Sequence, residues 1–198
     1  MIGDTVEVLK VLSIFIADTK KCVWEKRFPE KYSPLLEDLN LKLQGAAKAI
    51  ERIFDALNKF YNINSLSSLQ KASSTFEILK FEDEILSMLN FLAAVKIRLQ
   101  IILSDVVKEP LEKVDILERI AVIDDVLKYF SREKLSEQIS LQIKTALENI
   151  LSDTSLDDID VQNIIEQSTK VKPDFSYRIR FVSEYPNLSF LISKFSKN

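Results

Sequence analysis

The stretch FLAAVKIRLQIILSDVV, residues 91–107, decides the fold. Within it, VKIRLQI (residues 95–101) alternates apolar and polar side chains, the pattern of a half-buried strand. Its surroundings contradict that reading, because no glycine or proline occurs between Ala46 and Glu109. In a wider window, Ile78, Phe81, Ile85, Met88, Leu92, Val95, Leu99, Ile102 and Val106 recur at alternating steps of three and four. That is a heptad seam on one helix, and a strand of that length would be implausible. The alternation is then incidental, with Ile97 and Ile101 widening the apolar stripe where the helix meets more than one neighbour. Ser74 with Glu77, or Ser67 with Gln70, supplies a capping-box start, and Pro110 a stop.

The preceding segment repeats the design. Leu36, Leu39, Leu43, Ala46, Ile50, Ile53, Leu57 and Phe60 keep the same spacing, with Pro34 at the start, where its missing amide donor costs little. Gly45, Ala46 and Ala47 permit close helix approach. The polar connector YNINSLSS (residues 61–68) joins the two seams into an antiparallel hairpin over about residues 34–109, with arms of roughly 40–50 Å at about 1.5 Å per residue.

Around the hairpin, residues 1–28 read as one more helix, which packs on the hairpin or meets a membrane or partner. Leu111, Val114, Leu117 and Ala121 mark a further helix, its stripe thickened by Ile116, Ile120 and Ile123. Leu135, Ile139, Ile143, Ala146, Leu147 and Ile150 mark the next. A short acidic helix follows, with Ser155 as N-cap and Asp157 and Asp158 in its first turn. The expected fold is all-α: the long hairpin with shorter helices packed on it in a helical domain over residues 1–169, and a C-terminal extension over residues 170–198. In that extension DFSYRIRFV (residues 174–182) alternates Phe175, Tyr177, Ile179 and Phe181 between two prolines and reads as a short strand. NLSFLISKF beyond it reads as a short amphipathic helix presenting Leu188, Leu191 and Phe195. These seven residues are the candidate partner-binding set. A lone strand must pair with another chain's sheet edge, pair with itself in a dimer, or pack as coil on the hairpin.

Composition narrows the function. Among 198 residues there are two glycines, five prolines, one cysteine and no histidine, with net charge −3. So few turn formers fit long helices, and the mild acidity argues against nucleic-acid binding. Without histidine there is no Ser–His or Cys–His dyad and no zinc site of the usual type; with two glycines there is no phosphate-cradling loop. Cys22 lies among Lys20, Lys21 and Lys26, charges that would lower its pKa, but no base accompanies it. The acids at 82–84 and at Asp124 and Asp125 read as a solvated helical face. No catalytic residue, metal site, cofactor or small-molecule substrate is assigned. The expectation is a non-enzymatic protein. A single cysteine fits a reducing, cytoplasmic setting. The N-terminal MIGDTVEVLK lacks a basic region and is no secretory signal, and the uncharged apolar runs are shorter than the about 20 residues of a membrane span.

The order of parts resembles ESCRT-III proteins, nearest to their archaeal cell-division branch. Residues 77–107 are similar to the family's second arm through VKIRLQIIL, and SEQISLQIKTALENILSDTS is similar to its fourth helix. The resemblance implies a filament-forming, membrane-remodelling or division scaffold with peripheral membrane contact. It also implies that the acidic helix, with Asp153, Asp157, Asp158 and Asp160, folds back to restrain assembly. Two features depart from the family. The first arm is not basic, since Lys42, Lys48, Arg52 and Lys59 are balanced by Glu37, Asp38, Glu51 and Asp55, and no proline-rich ATPase-recruiting motif is evident in VKPDFSYRIRF. The alternative is a helical adaptor, or a viral or plasmid accessory protein, acting through protein–protein contacts.

Overall fold

The computed structural model describes residues 2–26, 28–65, 68–132, 135–153, 155–169 and 175–195. The fold is all-α, and among the described residues there is no strand. Its helices are α1 (Ile2–Glu25), α2 (Ser33–Tyr61), α3 (Ser68–Leu79), α4 (Phe81–Ile101), α5 (Pro110–Arg132), α6 (Leu135–Ser152), α7 (Asp158–Thr169), α8 (Phe175–Glu184) and α9 (Pro186–Phe195).

The centre of the molecule is the pair α2 and α4. Leu39, Leu43, Ala46, Ile50, Ile53, Leu57 and Phe60 are buried on α2, as are Phe81, Ile85, Met88, Leu92, Val95 and Leu99 on α4. Ion pairs along the flank set the direction. Asp38 meets Arg98 at 2.6 Å, Arg52 meets Glu84 at 3.6 Å, and Lys59 meets Glu77 at the start of the second arm. The two numbers in each pair add to the same total, which only antiparallel helices in one constant register produce. Gly45 shares that register with Phe91: a Cβ built on Gly45 would collide with the Phe91 ring, so the glycine lets the ring lie against the α2 backbone.

Pro34 occupies the first turn of α2 and Pro110 opens α5, in both cases where a missing amide donor is tolerated. Ser74 lies inside α3 and caps no helix; its neighbour Thr75 donates back to the Lys71 carbonyl. At the other end α4 widens into a π-turn over Ile102–Val106, closed by the Val107 amide on the Ile102 carbonyl, and then leaves the helix at Val107.

The remaining helices wrap this pair. Helix α1 packs on α2 and α9, α5 on α4, and α6 on α3, α4 and α5; α7 lies on α6. Helix α5 corrects the sequence reading. Ile116, Ile120, Ile123, Val126 and Phe130 are buried, whereas Leu111, Val114 and Leu117 are exposed at 85, 52 and 50%. The helix carries two apolar stripes, and the one containing Ile116, Ile120 and Ile123 faces the core. Helix α4 holds a parallel correction: Ile97 and Ile101, expected to widen the buried stripe, stand exposed at 52 and 38%.

The expected strand is also overturned. Residues 175–184 form α8, where Phe181 packs edge-on against Tyr129 and tilts onto Tyr185. Phe181, Tyr185 and Leu188 step by four and three, a helical face that runs from α8 into α9. A helix satisfies its own backbone groups, whereas a lone strand in an all-helical protein has no ladder partner. Pro186 opens α9, and Pro173 lies outside the described residues.

The two faces of α4 give a direct test. Leu99→Asp places a charge at a fully buried position and should destabilise by several kcal/mol, whereas Ile97→Asp, two residues away, should change monomer stability by no more than about 0.5 kcal/mol. Urea unfolding at low protein concentration measures both, and equal losses would refute this orientation of α4.

Candidate functional site

Polar chemistry concentrates where α1 meets α5. From α1 come Asp18, Thr19, Cys22 and Lys26; from α5 come Glu112, Asp115 and Arg119. The i, i+4 and i, i+7 spacings put each set on one helical face. Arg119, with its side chain only 12% exposed, donates to Thr19 Oγ1 at 2.8 Å and Asp18 Oδ2 at 2.9 Å, and its Nε lies 3.4 Å from Asp115 Oδ1. Lys26 Nζ sits 3.5 Å from Asp115 Oδ2. The Cys22 thiol donates to Asp115 Oδ2.

These contacts set the protonation states. Burial, then the hydrogen bond to Asp115, pushes the Cys22 thiol up, opposite to the effect expected from nearby lysines. Burial also works against ionisation of Asp115, but Cys22, Arg119 and Lys26 together hold its carboxyl below the usual range. A thiol raised beside a carboxylate lowered is a mismatched nucleophile and base: the proton stays on sulfur. Each anion of the cluster lies beside a cation, and these contacts fasten α1 to α5. A cleft of about 530 Å³ lies over the cluster, lined by Cys22, Lys26, Asp115 and Arg119 among others, and a second of about 210 Å³ lies beside it, lined by Phe15, Asp18, Arg119, Phe190 and Lys194 among others. Among the described residues no cluster of three or more His, Cys, Asp or Glu has metal-binding geometry.

A second polar arrangement holds the C-terminal helices. Asp125 on α5 is only 8% exposed, and its Oδ2 accepts the amides of Asn187 and Leu188 at 2.8 and 3.0 Å. A carboxylate from one helix thus caps the N-terminus of another, satisfying two donors that α9 cannot satisfy itself. Lys128 donates to the Glu184 carbonyl at 3.2 Å and lies over the Tyr185 ring, while Tyr185 meets Tyr129 edge-on. The solvated-face reading holds at Asp83 and Asp124, both exposed, with Asp124 paired to Lys96; it fails at Asp125, which is buried, while half-buried Glu84 pairs with Arg52. Adjacent acids on a helix point in different directions, which sequence spacing alone does not resolve.

The candidate residues fall as follows. Leu188 is buried, Phe181 and Leu191 are half-buried against the core, and Phe195 is half-buried with Lys194 over its ring. The side chains of Phe175, Tyr177 and Ile179 lie outside the described residues. Asp157, not Ser155, caps α7: its Oδ1 accepts the Asp160 amide at 2.8 Å, and Asp160 reaches back to the Asp157 amide at 3.4 Å. Asp153 accepts the amide and hydroxyl of Ser155, which holds its carboxyl below the usual range. Asp158 is exposed. Three of the four acids are thus engaged in local turn geometry.

By length and composition one helical stretch, Ser74–Val106, suffices to cross a membrane, although counting uncharged runs does not find it. Its seam is the core contact with α2. Comparison with family models, curated proteins and solved structures finds no match.

Two measurements test this wiring. Asp125→Ala leaves two amides without an acceptor and should cost about 1–3 kcal/mol, with faster hydrogen exchange at Asn187 and Leu188; unchanged exchange would refute the cap. For Cys22, whose folded pKa is raised, the stabilisation is complete below the unfolded thiol's pKa and lost as pH rises through the folded value. Alkylation of the folded protein should therefore lag behind the urea-unfolded chain at pH 8 and accelerate only at higher pH. Equal rates would refute the hydrogen-bonded thiol.

Proposed function

We propose that the protein is a non-enzymatic helical scaffold that assembles with copies of itself in a reducing cytoplasm and works peripherally at a membrane or division site, as its resemblance to ESCRT-III implies. One observation carries the reading. The α2–α4 pair turns its seam inward, yet α4 keeps a second apolar face, with Leu86, Ile97 and Ile101 exposed at 48, 52 and 38%. An apolar face on a central, rigid helix is the kind of surface that association buries. The α1–α5 cluster supports the same reading from the other side, since its charges are paired across helices.

A second reading, a compact adaptor that meets another protein as a monomer, is favoured by Phe190, which is 70% exposed on α9 beside the α1–α5 cleft.

Sedimentation velocity over a concentration series, with negative-stain microscopy and flotation on anionic vesicles, separates the two. The scaffold reading expects mass to rise with concentration and assemblies to form or gather on vesicles. A monomer at every concentration, with or without vesicles, would replace it with the adaptor.

A further inference from the structure

Helices α8 and α9 form one strap. The Tyr185 amide donates to the Phe181 carbonyl at 2.9 Å and the Ser189 amide to the Tyr185 carbonyl at 2.8 Å, so backbone hydrogen bonds continue through the junction at Pro186. The strap packs on α5 and α1 through α9, yet it is seated shallowly. Among its described side chains only Tyr185 and Leu188 are buried, whereas α2 alone buries nine. Clefts run along both flanks of α9: one of about 210 Å³, to which it contributes Phe190 and Leu191, and one of about 360 Å³, to which it contributes Ser189 and Ile192. What seats the strap is a short set of directed contacts. Asp125 accepts the amides of Asn187 and Leu188, Lys128 donates to the Glu184 carbonyl, and Tyr129 stands edge-on to Phe181 and Tyr185. Few buried groups and open flanks mark a segment that opens ahead of the core.

We infer that this strap also docks in trans, on the α1–α5 groove of a second copy. The inference rests on the scaffold reading and specifies its contact. The structure itself shows what fits the groove, because α9 of this chain already fills it. The same helix from another copy meets the same carboxylate at Asp125, the same Tyr129 ring and the same apolar walls of Phe15 and Val122. No further complementary surface is needed: a released strap and an emptied groove are the two halves of the contact. Exchange makes no contact that closure within one chain lacks, so closure wins at low concentration. Exchange sets in as the protein approaches the effective concentration of a tethered segment, on the order of millimolar. Reciprocal exchange closes a dimer. An exchange that is not returned leaves an open groove at one end and a free strap at the other, and passes on to a third copy.

The test mixes two full-length variants that each spoil one half. Asp125→Ala weakens the groove and keeps the strap, whereas Leu188→Asp spoils the strap and keeps the groove. In the mixture the intact strap of the first meets the intact groove of the second, with closure impaired in both. Sedimentation velocity should show a heterodimer at a concentration at least about tenfold below that at which the parent associates, since the lost cap favours the second copy's groove by about that factor. Each variant alone should stay monomeric over that range. Circular dichroism checks that both keep their helical signal, and Leu188→Ala takes the place of Leu188→Asp if the charge unfolds the chain. If the mixture stays monomeric while the parent self-associates, the inference falls and the scaffold reading stands. If mixture and parent are both monomeric at every concentration, both fall. Association of either variant alone as tight as that of the mixture would put the contact elsewhere on the molecule and overturn the inference.

Discussion

Every other contact in this protein depends on the apolar seam between α2 and α4. Each helix offers a single line of branched and aromatic side chains, and burying those lines against each other removes enough apolar surface to order two long helices that would be marginal alone. The flank then adds direction. Ion pairs at Asp38–Arg98 and Arg52–Glu84, with Gly45 beneath the Phe91 ring, suit one antiparallel register. Exposed pairs of this kind contribute little energy, so their consequence is register more than stability.

Once the seam is closed, the remaining helices are placed by what each can bury and by where polar groups must be satisfied. Helix α5 presents its isoleucine stripe to the core, which brings Asp115 and Arg119 to α1 and Asp125 to the N-terminus of α9. Both polar clusters follow from this one orientation of α5. In the first, charges offset each other across α1 and α5; in the second, Asp125 is satisfied by backbone amides of α9.

Two alternations, VKIRLQI and FSYRIRF, show why local pattern has limited authority. Both suggest a strand and both are helical. The first resolves because it lies within a heptad of nine apolar positions running from Ile78 to Val106. The second sits near a proline in a short segment, and its helical face becomes visible only when Phe181 is followed through Tyr185 to Leu188, across a break that looks like a boundary. Phe175 and Tyr177 fit an alternation equally well, so short range cannot separate the two periods.

The sequence by itself determined the all-helical class, the two buried seams, the proline-led start of α2, the end of the second arm before Pro110 and the close approach at Gly45, because each depends on periodicity or backbone chemistry carried within one segment. It did not determine which of two apolar stripes on α5 turns inward, nor that Asp125 reaches α9 or that Cys22 donates a hydrogen bond to Asp115. Those depend on which helix lies beside which, over separations of sixty to ninety-three residues. A helix with two apolar stripes is indifferent to its own rotation until neighbours bury one of them, and a carboxylate has no role until a distant helix brings its amides within hydrogen-bond reach.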